Sequence, residues 1–558
     1  MTEPAAPEPA ATEQAGPGPA RPGPAGSGLA TEPAPPWRRL NPRMLVIHPV
    51  QEAIRAMPAL VGLLIAGSSS GNGPGWSLLG LGVVVVLGVV RWFTTTFRVT
   101  PEQVQVRHGL LRRRLLAVPR DRVRTVDVTA NAMHRLLGLA RVTVGTGRPD
   151  ADADLRLDAL SAAEVATLRA ELLYRGTPGQ PAVADQPAAP PDQELAHWRL
   201  SWVRYGPFTL SGLVAVGILG GFLAQTLSEA HLDTSRFAAL RAVREWAERT
   251  PTLLVVLAVA GTLVVATTVA STVGYLLAFW RFRLTRQAHG TLHVTRGLVT
   301  TRATTIEERR LYGVELVEPL LPRAARAARC LAIATGLRSR GGERAGERGG
   351  ALLLPPAPRE EARRVAAEVL RTAEPVTVTL VSHGTRARRR RYTRALLGCA
   401  ALVLATGLAG WLLGWPGWVW AATLASFGGG ALLAEDRYRN LGHALTAGTL
   451  VAATGSVVRR RAMLGTDGII GWNVRQSYFQ RRAGLATLTA TTAAGGQHYD
   501  VPDVDLGTAV RLADAALPGL LAPFLAGTTA VPPGPPKPTG RAAPDPQGLD
   551  PQGSVTST

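Results

Sequence analysis

Residues 97–123, FRVTPEQVQVRHGLLRRRLLAVPRDRV, continue at 134–147 with HRLLGLARVTVGTG, and a similar stretch returns twice along the chain. The second copy opens at Phe282 with FRLT, passes through RGLVTTRATTIEERRLYGV (296–314) and reaches RCLAIATG (329–336). The third starts at Tyr438 and runs through TGSVVRRRAMLGTDGIIGWNVRQ (454–476) to RRAGLATLTA (481–490), and Gly109 to Gly138 has the same spacing as Gly455 to Gly484. Self-similarity at a long period marks a repeated structural unit. Each copy follows a pair of apolar segments, so the chain reads as three rounds of membrane pair plus β-rich module.

Inside the first copy, Val104 and Val106, Val126 and Val128, and Val142 and Val144 alternate with polar residues, the pattern of short half-buried strands. The period then changes. Ser161-Ala-Ala-Glu164 has the form of a capping box, and Val165, Leu168 and Leu172 share one helical face. The other copies end in PREEARRVAAEVL (358–370) and LGTAVRLADAAL (506–517). Several strands followed by one helix predict a small bent sheet or barrel whose open end the helix covers.

The apolar pairs are 49–66 with 76–93, 205–225 with 252–280, and 395–413 with 418–434. About 20 apolar residues are needed to cross a bilayer as a helix, so each pair reads as a transmembrane hairpin. Between the second pair, Phe237, Leu240, Val243 and Trp246 recur at helical spacing, predicting an amphipathic helix on the outer face. Trp411, Trp415, Trp418 and Trp420 crowd the turn of the third pair, where indoles settle at headgroup level. Arg386, Arg388, Arg389, Arg390, Arg391 and Arg394 form a basic cluster just before that pair. The links inside the pairs carry no net positive charge, so positive flanks place both termini and all modules in the cytoplasm.

The net charge is +21. Of 61 basic residues, Lys537 is the single lysine, a bias that accompanies abundant Ala, Gly and Pro and says little about phosphate recognition. No nucleic-acid partner is expected. Cys330 and Cys399 exclude a disulfide scaffold and have no metal-type spacing.

The order of membrane pair, [FY]R-[LV]-T opening, Gly before a basic strand, PRDRV segment, RLLGLA and closing helix resembles the bacterial pleckstrin-homology (PH)-like family, in particular its YdbT-type multi-pass proteins. RLNP at 39–42 is similar to that family's entry motif. The first copy matches best, with Arg120, Arg122 and 135–140 in place; the second replaces the Gly of RLLGLA within RAARAARCLA, and the third has GTDGIIGW where PRDR belongs. The resemblance implies a PH-like barrel and a non-enzymatic, membrane-associated role, in some members tied to resistance against envelope-active peptides.

The expected fold class is therefore a multi-domain membrane α + β protein. Six transmembrane helices form three hairpins, each followed by a cytoplasmic PH-like β-barrel or sandwich capped by a C-terminal helix. The boundaries are a disordered tail at 1–43, hairpins at 44–96, 197–281 and 395–435, PH-like domains at 97–175, 282–372 and 436–521, a Pro-rich linker at 176–196, a basic linker at 373–394 and a second disordered tail at 522–558.

Arg112, Arg113 and Arg114, with their counterparts Arg459, Arg460 and Arg461, are the candidate contacts for anionic lipid headgroups or a partner, because each run follows a repeat glycine in a hairpin. A cation near an anionic surface contributes about 1 kcal/mol. The plainer reading makes them solvated turn residues, and makes the 386–394 cluster a topology signal. Catalysis, metal and cofactors are not expected. His289 and His293 fall on predicted strands, where that spacing does not converge on a metal, and Glu307 and Glu308 would point to opposite strand faces. The expected partners are the membrane itself, anionic headgroups, and another membrane protein or further copies of the chain. A transporter or channel subunit is the rival class, although four of the apolar segments, 207–225, 252–280, 395–413 and 416–434, are free of Asp, Glu and Lys and carry no Arg. Gly217 with Gly221 and Gly410 with Gly414 have spacings suited to close helix packing.

Overall fold

The alternating apolar pattern resolves into antiparallel sheets in the computed structural model, which describes residues 37–39, 41–43, 82, 95–100, 102–108, 114–119, 123, 125–145, 155–161, 163–165, 167–168, 192–209, 211–229, 238–288, 290–336 and 351–520. In the first module β1 (Arg38–Arg39), β2 (Thr96–Val99), β3 (Gln103–His108) and β4 (Arg114–Pro119) make one sheet, and β5 (Thr125–Ala130), β6 (Leu139–Gly145) and β7 (Leu155–Ser161) pair as a second layer. The middle module repeats this with β8 (Gln193–His197), β9 (Arg283–Gln287), β10 (Thr291–Arg296) and β11 (Thr301–Glu307), then β12 (Leu311–Pro319), β13 (Ala327–Ala334) and β14 (Ala351–Pro358). The third has β15 (Gly442–Thr446), β16 (Thr449–Thr454) and β17 (Val458–Gly465), then β18 (Gly471–Arg475), β19 (Leu485–Thr491) and β20 (His498–Asp505). The longer helices are α1 (Ser211–Glu229), α2 (Ala238–Arg249), α3 (Thr252–Phe279), α4 (Arg359–Leu370), α5 (Gly384–Leu413), α6 (Trp418–Arg439) and α7 (Leu506–Ala516).

The modules are not separate beads. β5 pairs with β11, from Thr125↔Ile306 to Ala130↔Thr301, so the second layer of module one and the first layer of module two are a single seven-stranded sheet. β12 pairs with β17 from Gly313↔Leu464 to Pro319↔Val458, giving a six-stranded sheet shared by modules two and three. β1 pairs with β2, β8 pairs with β9 across α1 to α3, and Val381 bridges His443 across α5 and α6. Residues 193–196, which composition assigns to a Pro-rich linker, thus belong to an edge strand. The turn residues stop at Pro191, and Leu195 and Ala196 are buried against the module core.

Each module buries a core between its two layers. In the first, Phe97, Val104, Val106 and Val118 meet Val126, Val142, Val144 and Leu157. In the middle one, Leu284, Leu292 and Ile306 meet Val314, Leu316 and Leu331, closed by Ala362, Val365 and Val369 of α4. In the third, Leu450, Ala452 and Leu464 meet Leu488, Val501 and Val504 under Ala509, Leu512 and Ala513 of α7. Alternation along β16 sends Leu450 and Ala452 to this core and Val451 to the middle one, as the two-residue strand period requires. The Ser161 capping box forms: Ser161 N donates to Glu164 Oε2 at 2.8 Å and Glu164 N to Ser161 Oγ at 3.2 Å.

The expectation of six membrane spans is not supported. Among the described residues two helices, α3 and α5, are long and apolar enough to cross a bilayer. The first hairpin, 44–96, lies almost wholly outside the described residues. α6 is apolar only from Trp418 to Ala434 before Glu435 and Asp436 interrupt it, short of the length a bilayer asks for, and the apolar stretch described in α1 is Ser211–Gly221. Even so, α1 lies against α3 and α5 against α6. Gly212 N donates to Ser271 Oγ at 2.9 Å, and Gly407 lies under the Trp420 ring. Of the glycine spacings, Gly410 packs near Trp420, whereas nothing approaches Gly217, Gly221 or Gly414. The apolar stretch of α3 is wholly unburied, with Leu253, Val256, Val264 and Val265 all exposed. The predicted amphipathic helix is α2, which exposes Val243 and Trp246.

A short helix joins two strands of each second layer: Ala132–Leu136, Leu320–Ala324 and Tyr478–Arg482. The first and last are ended by Gly138 and Gly484, both at φ 68, and the middle one by Arg326 at φ 58. Arg326 is therefore the residue that replaces the repeat glycine, and it holds a left-handed backbone that costs an L-residue about 1 kcal/mol. We expect Arg326→Gly to stabilise the fold and Gly484→Arg to destabilise it, each by about 1 kcal/mol, read as a rise and a fall of the thermal midpoint in detergent.

Candidate functional site

The richest polar constellation lies where the third hairpin meets the third module. His383 precedes α5, and its Nε2 is 2.9 Å from His443 Nδ1 on β15, while its Nδ1 is 3.0 Å from Pro502 O on β20. Two turns further along, Arg391 Nη2 is 2.7 Å from Asp503 Oδ2, and Arg390 Nη1 donates to Asp503 Oδ1. Gln480 Nε2 adds a bond of 2.9 Å to the same oxygen. Asp503 is wholly buried and sits at φ 60. A buried carboxylate is tolerable only when paired and hydrogen-bonded, so these donors decide where α5 can sit on the module.

α6 is tied in from the other side. Glu435 accepts from Arg388 Nε at 3.2 Å, Tyr392 OH at 3.0 Å and Arg439 Nε at 2.9 Å. Asp436 accepts from Arg323 Nη1 at 3.3 Å and from Arg459. A cavity of about 440 Å³ opens between these helix ends and the third module, with Arg391, Arg394, Arg437 and Arg460 among its walls.

Arg459, Arg460 and Arg461 are in neither a turn nor a loop. They lie on β17 at the seam opposite Glu318, Val317 and Leu316. Arg460 Nη1 is 2.9 Å from Glu315 Oε1, both side chains largely buried, and Arg461 Nη2 donates to Val378 O at 2.8 Å and Pro375 O at 3.0 Å. Burial holds the Arg461 guanidinium below its ordinary range. The physical reason for the difference is that a strand wedged between two modules hands alternate arginines to opposite faces, where carboxylates and orphan carbonyls await them. Arg112 and Arg113 lie outside the described residues; Arg114 opens β4, paired to His108. In the basic cluster, Arg386, Arg388, Arg389 and Arg394 are exposed, whereas Arg390 and Arg391 turn inward to Asp503.

Elsewhere the chemistry is sparse. His289 lies outside the described residues, and His293 Nδ1 is 3.1 Å from Thr305 Oγ1. Glu307 pairs with Arg309 and Arg310, and Glu308 with Arg286 and Arg371, so the two glutamates serve separate ion pairs. Burial, with Glu315 beside it, pushes the Cys330 thiol up to about 12, leaving it unreactive at neutral pH. Among the described residues no group of three His, Cys, Asp or Glu is placed to hold a metal.

Each module is two antiparallel layers, of four and three strands in the first and middle modules and of three and three in the third, followed by a helix. The family model for the bacterial PH domain matches the chain twice, at residues 52–176 and 392–518. The first match begins inside the apolar segment 49–66 and the second at Tyr392 in α5, and the second runs past α7, so each matched stretch takes in apolar sequence as well as a β-rich module. No curated protein and no solved structure matches the chain.

Asp503, Glu315, Asp436 and the histidine pair were not singled out by sequence reasoning, because their partners are far away in the chain and no local spacing links them. Two outcomes follow from the geometry. Replacing Asp503 by Asn keeps its shape and its tolerance of positive φ but strands two inward-facing guanidinium groups, so the third module should lose about 3–5 kcal/mol, read by thermal melting and amide exchange along β20. Arg389→Gln, exposed on the same helix, should change little. The second outcome concerns pH. Burial, and next His443, pushes His383 down to about 4, and burial lowers His443 as well. The unfolded chain takes up these protons near pH 6.5 and the folded one only well below, so their contribution is complete above about pH 6.5 and is lost as pH falls toward 4. Melting curves of the wild type should therefore steepen in their decline through that window more than those of His383→Gln/His443→Gln.

Proposed function

We propose that the chain is a non-enzymatic integral membrane scaffold of the YdbT type. In this reading it holds three PH-like modules at the cytoplasmic face of a bacterial cell membrane, for interaction with protein partners or anionic lipid. The observation that carries it is the pair of shared sheets: modules welded through β5–β11 and β12–β17 cannot reorient independently, which suits a platform of fixed geometry. The exposed apolar surfaces of α3 and α5 support membrane insertion, since a water-facing patch of that size is unfavourable. α1 and α6, packed on them, would complete hairpins whose shorter apolar lengths thin the surrounding bilayer. The basic residues at the start of α5 support a cytoplasmic placement of the modules.

The middle module carries no match to the family model, and its inclusion as a third copy rests on its form. It has the same strand order, and Gly297 and Gly455 both take positive φ with the carbonyl three residues on, Thr300 O or Val458 O, 2.0 Å from where a Cβ would lie. A role in envelope stress or peptide resistance is what the family resemblance implies.

Purified protein in liposomes should give no solute flux above empty vesicles; robust flux lost on substitution within the hairpins would make the chain a transporter. In a variant lacking Cys330 and Cys399, thiol labelling of Arg389→Cys and Arg482→Cys from the cytoplasmic side only, and of Gly417→Cys from the opposite side only, is the expected pattern. Labelling of Arg482→Cys from outside would overturn the placement.

A further inference from the structure

We infer that the cavity between the α5–α6 hairpin and the third module is a binding site for a phosphate group, and this deepens the membrane-scaffold reading on which its lipid form rests. Its walls bring Arg391, Arg394, Arg437 and Arg460 together against Glu315 and Asp500. Glu315 is taken by Arg460 at 2.9 Å, and Asp500 accepts from Thr489 Oγ1 at 2.7 Å. Arg391 is committed to Asp503. Arg394 and Arg437 remain, and neither has an ion-pair or hydrogen-bond partner among the described residues. Arg390, Arg394 and Arg437 all repel the Arg391 guanidinium, so the cavity holds a surplus of positive charge that the protein itself leaves unbalanced. Guanidinium forks match phosphate oxygens bidentately, and a crowd of them is stabilised by an anion that bridges them.

Position and size narrow the ligand. Arg394 immediately precedes the apolar run of α5, and Arg437 follows that of α6 by one turn, so both lie where the greasy surface of the hairpin stops. With the hairpin in a bilayer this is the depth of the headgroups. At about 440 Å³ the cavity exceeds what one inorganic phosphate needs and falls in the range of small-molecule sites, large enough for a glycerophosphate headgroup. The shared chemistry is the phosphate; its source is either an anionic phospholipid or a soluble phosphate.

The test uses full-length protein in neutral detergent, titrated separately with short-chain phosphatidylglycerol, inorganic phosphate and uncharged short-chain diacylglycerol. Wild type should bind at least one phosphate-bearing probe saturably and more weakly as salt rises. Arg394→Gln/Arg437→Gln should lose about thirtyfold in affinity, the level expected from removing two cations facing an anion. Arg389→Gln, an exposed arginine of the same cluster that does not line the cavity, should bind as wild type. Binding of phosphatidylglycerol but not phosphate assigns a lipid source, and equal binding of phosphate assigns a soluble one. As a measure that needs no variant, the bound probe should slow amide exchange in β16 and β20. Equal binding by wild type and the double variant, binding of diacylglycerol as tight as that of phosphatidylglycerol, or no saturable binding overturns the site. Alkaline extraction of the same proteins from membranes separates the two readings: release with Arg-dependent binding intact sinks the scaffold and spares the site, and retention without such binding does the reverse.

Discussion

The backbone ladders between β5 and β11 and between β12 and β17 are the interaction on which the architecture depends. Two half-modules, each with an edge of unpaired N–H and C=O groups, satisfy them on one another. Each bond contributes roughly 0.5–1.5 kcal/mol net, and leaving a buried edge unpaired would cost more than that per group. The seams also dictate what the side chains may be. Thr304 donates to Asp127 across the first at 3.0 Å, and Arg460 reaches Glu315 across the second. Sheet, core and ion pairs thus place each module relative to the next without a dedicated interface.

Against that frame the polar cluster under the third hairpin has a clear task. α5 leaves the module through His383, passes Asp503 with two arginines, and α6 returns with Glu435 and Asp436 facing basic partners. A helix so tethered over its first two turns cannot rotate about its axis without exposing a buried carboxylate. The hairpin is therefore coupled mechanically to β20, and through His443 on β15 to the sheet shared with the middle module.

Much of this was legible in the sequence, and the exceptions have physical causes. Period-two alternation marked the strands around Val104, Val126 and Val142, and Ser161 with Glu164 announced the closing helix. Repetition announced a recurring module, which the family model matches at 52–176 and 392–518. Pairing between copies was not readable, because alternation identifies a strand and its faces but not the neighbour that completes its edge. The arginines at 459–461 looked like a turn because three consecutive charges are rarely put in a strand. A clue was available in LYGVELVEP, where Glu315 and Glu318 supply carboxylates on a strand that is otherwise apolar. Six spans are not supported because α6 keeps only the apolar run Trp418–Ala434 and α1 only Ser211–Gly221, runs that pairing made look sufficient in the sequence although each is short for a bilayer.

The stapling of each hairpin's entry strand to its exit strand bears on how the chain is made. Residues 193–197 have no edge to join until Arg283–Gln287 have left the ribosome, and the intervening helices come out between them. The first layer of the middle module thus closes only once its hairpin has been synthesised, and β5 waits still longer for β11. During synthesis the edges of β5 and then of β12 emerge before their partners β11 and β17 exist, so each bare edge has to be kept from other strands until its successor arrives.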